Sequence, residues 1–169
     1  AAACGGRVAT WTEAYGTALA ALGMENRAIA AKRLKSGKIV SPRDRVDECA
    51  VCGMYPARYE KNRAQIRTRA GKTVHFCSTQ CLFKFLKDPG CFEPGGEVPC
   101  AIWVTDFASG RWISGRTAYY VLHSRRWGPM GYEAFAFDSR AAAESFIGEN
   151  GGTWLPFSEV RIEKILSPR

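Results

Sequence analysis

Two stretches of this chain match each other at a constant offset of 61 residues, and that repetition limits the fold more than any single motif. Val74-His75-Phe76-Cys77-Ser78 aligns with Phe135-Ala136-Phe137-Asp138-Ser139, after which Phe85 meets Phe146, Leu86 meets Ile147 and Gly90 meets Gly151. In each copy a short apolar strand runs into a Ser or Asp suited to cap a helix, and the helix carries aromatic and aliphatic residues inward. Upstream, Ala64 to Arg69 reads as a strand that turns at Ala70-Gly71-Lys72 into a second, Thr73 to Phe76. Ser78 to Lys87 reads as a helix with Leu82, Phe85 and Leu86 inward, stopped by Pro89-Gly90, and Ile102 to Thr105 closes the unit. In the second copy Ala118 to Leu122 leads, Ser139 to Glu149 is the helix and Thr153 to Phe157 closes. The expected fold is α+β: two pseudo-repeated ββαβ units in one body, sharing a core because two units are too few for a solenoid.

Three segments follow from this reading. Residues 1–43 form a helical N-terminal extension. Trp11, Tyr15, Ala18, Leu19 and Leu22 fall at helical spacing within Thr10 to Leu22, and Glu25 to Lys35 reads as a second helix ended by Ser36-Gly37. Residues 44–106 form the first, metal-binding ββαβ unit, and residues 107–169 the second unit with a C-terminal tail.

The two units differ in chemistry. The first holds Cys49-x-x-Cys52 and Cys77-x-x-x-Cys81, which become nothing comparable in the second: Asp138 and Ala142 stand where Cys77 and Cys81 would be. A thiolate pair two residues apart grips one ion from a knuckle-like turn, eased here by Gly53. Cys77 and Cys81, four apart, share one face of a helix. Covalent haem attachment would need a histidine where Gly53 stands, and Gly53-Met54-Tyr55-Pro56 is a poor helix start for a thioredoxin-type redox pair. Three readings remain open from the residues. Cys49, Cys52, Cys77 and Cys81 can close a tetrahedral zinc site, although the 24 residues between the pairs exceed the usual ribbon spacing. The same cysteines can pair as disulfides if the protein is exported. Met54 points to Cu(I), which takes thiolate and thioether together where zinc rarely takes a thioether.

Composition narrows the remaining classes. With 169 residues, 46% of them hydrophobic, the chain is long enough to bury a core. Its apolar runs fall far short of the roughly twenty residues a membrane-spanning helix needs. The net charge of +8 points to an acidic partner or surface, yet Lys and Arg are scattered without a polybasic block, so no specific nucleic acid is assigned. Seven cysteines is an odd count, so at least one is free, metal-bound or paired with another chain. Cys91 and Cys100 flank the loop FEPGGEVP, where a short-loop disulfide is expected. The start AAACGG has the small residues that end a signal peptide, including those of lipoproteins. An extracytoplasmic setting, the bacterial periplasm or cell envelope, is therefore expected, although with Ala1 first Cys4 would not itself be lipidated, since that processing leaves the cysteine first. No catalytic constellation emerges, and the protein is not read as an enzyme.

Asp47-Glu48-Cys49-x-x-Cys52-Gly53-Met54, then Phe76-Cys77-Ser78-x-x-Cys81-Leu82, Trp103-Val104-x-Asp106, Pro129-Met130-Gly131 and Gly151-Gly152 together resemble the NosL family. These are copper-binding accessory proteins linked to nitrous oxide reductase assembly. The resemblance runs from about Asp47 to Val160, and the CGM…FCSxxC segment also resembles TRASH-type metal-trafficking modules. It implies paired ββαβ units and an exported, lipid-anchored Cu(I) protein. Such a protein hands copper to a client metalloenzyme or its maturation complex. Carried over by position, Cys52 and Met54 match the family's CGM and Met130 its downstream Met-Gly. His75, beside a metal cysteine, and His123, on the loop with Met130, are candidates for a nitrogen ligand. Four further thiols, Cys77, Cys81, Cys91 and Cys100, make this an unusually cysteine-rich relative.

Overall fold

β1 (Ala64–Thr68) and β2 (Thr73–Phe76) form a hairpin in the computed structural model, which describes residues 38–92 and 99–167. The two helices expected within residues 1–43 lie outside the described residues. The register Ala64↔Phe76 and Ile66↔Val74 puts four apolar side chains on one face, leaving Gln65 and His75 on the other. β3 (Pro99–Thr105) pairs with the other edge of β1, and β4 (Trp112–Ser114) with β3, so the antiparallel order is β2-β1-β3-β4. Helix α1 (Thr79–Lys87) links β2 to β3 and lies on the apolar face, with the Phe85 ring 5.2 Å from Phe76.

Sequence reading places one face of α1 inward. The structure buries Thr79, Gln80, Cys81 and Phe83 as well as Leu82, Phe85 and Leu86. The reason is a second body on the helix's far side, where Phe83 meets Tyr120 at 5.3 Å and Phe157 at 5.6 Å. That body is a second antiparallel sheet of β5 (Tyr119–Leu122), β6 (Phe135–Phe137) and β7 (Thr153–Pro156), ordered β6-β5-β7. Helix α2 (Arg140–Asn150) links β6 to β7. One apolar core runs through both halves, from Cys49 to Ile165, and a smaller one gathers Phe107, Phe135, Phe137 and Phe146 under α2.

The starts of α1 and α2 are capped alike. Ser78 Oγ accepts from Cys81 N as Ser139 Oγ accepts from Ala142 N, and the Phe137–Phe146 rings lie 5.1 Å apart. The offset of 61 does not extend to the flanking strands. Ala64 is the partner of Phe76 and Tyr119 of Phe137, an offset of 55, while their other partners, Val104 and Pro156, differ by 52. The loops absorb the difference. Residues 123–134 join β5 to β6 where 69–72 suffice between β1 and β2, and Gly151-Gly152 replace the long connection after α1.

Two elements escape the sequence reading. β4 is only three residues long, and although it lies beyond residue 107 it completes the first sheet. The short helix α3 (Ile162–Leu166) buries Ile162 and Ile165 against the shared core and joins α1 through a Lys87–Glu163 ion pair. The disulfide expected between Cys91 and Cys100 is not formed. Cys91 is disulfide-bonded, but not to Cys100, which is a free thiol with its Sγ 3.4 Å from the Thr68 carbonyl. Among the described residues, no helix is long and apolar enough to cross a membrane.

The shortened connection after α2 makes a sharp demand at Gly152. Its φ is +105°, and a Cβ there would stand 2.4 Å from the Leu122 carbonyl oxygen. Gly152→Ala is expected to destabilise the fold by about 1–3 kcal/mol through backbone strain, with the clash added to it. The denaturant midpoint should fall at an unchanged slope; an unmoved midpoint would show that the turn does not need glycine.

Candidate metal centre

The first cysteine pair sits on a closed backbone ring. Cys49 N donates to Met54 O at 2.7 Å, and Gly53 N donates to Cys49 O at 2.9 Å. Gly53 supports this ring with φ of +75°, a value L side chains resist. The knuckle then docks on the free edge of β2: Ala50 N donates to His75 O at 3.1 Å, and Cys49 bridges His75 in parallel. Cys77 follows β2 directly, and Cys81 lies in the first turn of α1. The hairpin edge and the helix start therefore deliver all four cysteines to one point.

Their sulfur atoms all lie within 4.8 Å of one another. Cys52 to Cys77 is 3.4 Å, Cys77 to Cys81 is 3.8 Å and Cys81 to Cys52 is 3.8 Å. A tetrahedron with metal–sulfur bonds of ~2.3 Å has edges of about 3.8 Å, so the four sulfurs are spaced for one soft ion. The disulfide reading fails, since all four are free thiols. Cys49, Cys77 and Cys81 are buried, whereas Cys52 is only half-buried and stands at the mouth. The Cys49 thiol is pushed far below its ordinary range because Cys77, and then Cys81, donate their S–H groups to it. Cys77 and Cys81 are raised for the complementary reason, each holding its proton against the Cys49 thiolate.

The other expected ligands are distributed unevenly. Met54 closes the knuckle ring and is half-buried against the same core as the cysteines, as is Met130. Met130 occupies a tight turn, with Gly128 N donating to Gly131 O at 2.8 Å and Gly131 N to Gly128 O at 3.1 Å. His75 projects from the sheet face opposite α1. It is buried with Nδ1 unpartnered, and burial holds its pKa down more than Asp47 lifts it. His123 reaches instead to the end of α3, where its Nε2 lies 2.6 Å from the Lys164 carbonyl. Neither histidine joins the four sulfurs, which form the metal-capable group among the described residues.

Sequence reading missed two residues that secure the site, Gln80 and Glu133. Glu133 Oε1 accepts from Gln80 N at 2.8 Å and from Ala134 N at 3.1 Å, and lies 2.5 Å from Thr79 Oγ1. Thr79 Oγ1 is also 2.5 Å from Ala134 O. Burial pushes the Glu133 carboxyl pKa up, against the hydrogen bonds from Thr79, Gln80 and Ala134 that pull it down. Gln80 Nε2 in turn donates to Tyr132 O at 2.8 Å and Met130 O at 3.4 Å. The signal available was slight: a glutamine on a helix face otherwise spent on cysteine and apolar residues, and a glutamate just ahead of the strand Phe135-Ala136-Phe137.

The family pattern and one solved structure agree with this architecture. The sequence pattern of the NosL family matches residues 40–165. The crystal structure of the copper chaperone NosL from Shewanella denitrificans superposes with a TM-score of 0.62 at 26% identity, covering 74% of this chain and 96% of that one. The solution NMR structure of apo-NosL from Achromobacter cycloclastes matches with a TM-score of 0.47 at 27% identity, over 62% and 90% of the two chains. No curated relative matches. With the family pattern running from before the first cysteine knuckle to the last helix, this chain belongs to the NosL family.

Proposed function

We propose that this protein is a Cu(I) metallochaperone that carries the ion at its cysteine site and delivers it to a client metalloenzyme such as nitrous oxide reductase, or to that enzyme's maturation complex. The observation that carries the reading is the uneven exposure of the four thiols, three buried and Cys52 at the mouth. A cargo ion must be held tightly yet be open to a partner's ligand on one side. Cu(I) suits this, because it accepts two or three soft ligands and passes between them without a large change in geometry. Cys52 is where an incoming ligand would first displace one of the protein's own. Met54 and Met130 supply uncharged thioethers that hold Cu(I) and release it readily. Family membership supports the copper assignment. An extracytoplasmic setting, with a lipidated N-terminus, belongs to the same proposal.

A second reading rests on a different observation. The sulfur spacing matches a closed Zn(II) tetrahedron, and a structural zinc would make this a non-catalytic interaction module or a subunit of a larger extracytoplasmic complex. Titrating the reduced protein with Cu(I) against a competing chelator separates the two. The chaperone reading expects tight Cu(I) binding that Cys52→Ser abolishes and that Met54→Leu weakens with little loss of fold, leucine matching the volume. One zinc retained through purification, with no Cu(I) competition, would overturn it.

Proton release gives a further expectation. Cys77 and Cys81 hold their protons above the ordinary thiol range, so an ion that binds all four sulfurs must displace them. Apparent affinity should rise with pH, by roughly tenfold per unit for each proton displaced. A metal titration repeated across neutral pH measures this slope, and a flat profile would show that neither buried thiol is a ligand.

A further inference from the structure

The first turn of α1 and the Met130 turn hold each other by a reciprocal set of buried hydrogen bonds. From the second half, Glu133 caps the backbone N–H of Gln80 and meets the Thr79 hydroxyl. From the first half, the Gln80 side chain gives both hydrogens to the Met130 turn, at the carbonyls of Tyr132 and Met130. Gln80 is 2% exposed and Glu133 4% exposed. Gly128 completes the fit: a Cβ there would fall 2.5 Å from Glu133 Oε2 and 2.8 Å from its Cβ, so only a glycine lets the carboxyl side chain tuck under the turn.

This network is not what bare stability would select. Gln80 Oε1 and Glu133 Oε2 are buried without a hydrogen-bond partner. Each such atom carries a desolvation penalty that an apolar pair of similar size would avoid. What the network provides is orientation. Two carbonyls of the Met130 turn are tied to the residue next to Cys81, and the turn itself is closed by two backbone bonds between Gly128 and Gly131.

We propose that Gln80 and Glu133 are positioning residues for the metal site, holding Met130 at the cysteine helix before the ion arrives so that its thioether joins the thiolates. This deepens the Cu(I) reading and rests on it. Partners that orient metal ligands in this way typically contribute about 10–100-fold in metal affinity.

The test is a double-variant cycle on the whole protein with two ions. Cu(I) affinity is measured by chelator competition. Cd(II), which reports on the four thiolates through its sulfur charge-transfer absorption, serves as the control. Gln80→Leu is expected to weaken Cu(I) by about 10–100-fold, to leave Cd(II) binding unchanged, and to add nothing when combined with Met130→Leu. Full additivity of the two losses, an unchanged Cu(I) affinity in Gln80→Leu, or an equal loss of Cd(II) would each overturn the proposal. If Met130→Leu alone is silent while wild type binds Cu(I) tightly, the positioning role fails and copper binding through the thiolates stands. Absence of Cu(I) binding by wild type removes both. Should Gln80→Leu fail to fold, Gly128→Ala displaces the turn while keeping both polar side chains, and the same selective loss of Cu(I) is expected; a Cu(I) affinity equal to wild type refutes the role.

Discussion

Two backbone N–H groups in the first turn of α1 have no acceptor within the helix, and how they are satisfied decides the rest of the molecule. Gln80 N goes to Glu133 and Cys81 N to Ser78 Oγ, while Leu82 N makes the first regular helical bond to the Ser78 carbonyl. Helix starts need outside acceptors, since the first four donors are orphaned. Here one comes from the local cap and another from the opposite half of the chain. That second acceptor locks the two sheets around α1, which explains why the helix is buried on both sides and why a nine-residue element can anchor a metal site. The same turn carries Cys81 and begins just after Cys77, so whatever fixes it also fixes half of the sulfur cluster.

The other half of the cluster is held more lightly. The Cys49 knuckle is a short ring resting on an edge strand through one backbone bond and one bridge. Cys77 and Cys81 sit on elements buried in the core, whereas Cys52 is at the outer corner of the ring. The site is rigid on the helix side and exposed on the knuckle side. This asymmetry comes from topology: β2 is an edge strand, and only an edge leaves room for a loop to pair along it.

Much of this was legible in the sequence because it depends on local chemistry. The caps at Ser78 and Ser139, the hairpin through Gly71 and the aromatic pairs at an offset of 61 all follow from residue type and spacing. The four cysteines were recognisable as one group for the same reason. What was not legible depends on contacts between the halves. Phe83 reads as a solvent-side residue until Tyr120 and Phe157 cover it. His123 seemed close to Met130 because both lie on one loop, yet its ring turns to the Lys164 carbonyl on α3. His75 adjoins Cys77 in sequence, but strand alternation sends it to the opposite face of the sheet from α1. Gln80 and Glu133 carry no motif at all, because a buried polar pair is defined by the partner it meets across the core.

Charge finally constrains how the site can be filled. Four thiolates around Zn(II) leave two negative charges in a buried place, and around Cu(I) they would leave three. Buried charge is costly unless it is neutralised or hydrogen-bonded. Cys49 is biased toward the thiolate by its neighbours, while Cys77 and Cys81 are biased toward the thiol. The positive end of α1 eases thiolate character at Cys77 and Cys81 by a fraction of an elementary charge, too little to hold two of them ionised without a dication. Cu(I) therefore fits best with few thiolates and uncharged thioethers, leaving the deepest sulfurs protonated, and Zn(II) fits best with all four deprotonated. The upward push of burial on the Glu133 carboxyl acts in the same sense, since an ionised carboxylate there would add another negative charge near the sulfurs. The number of the four protons that stay behind is therefore what would separate a cargo Cu(I) from a structural Zn(II) at this site.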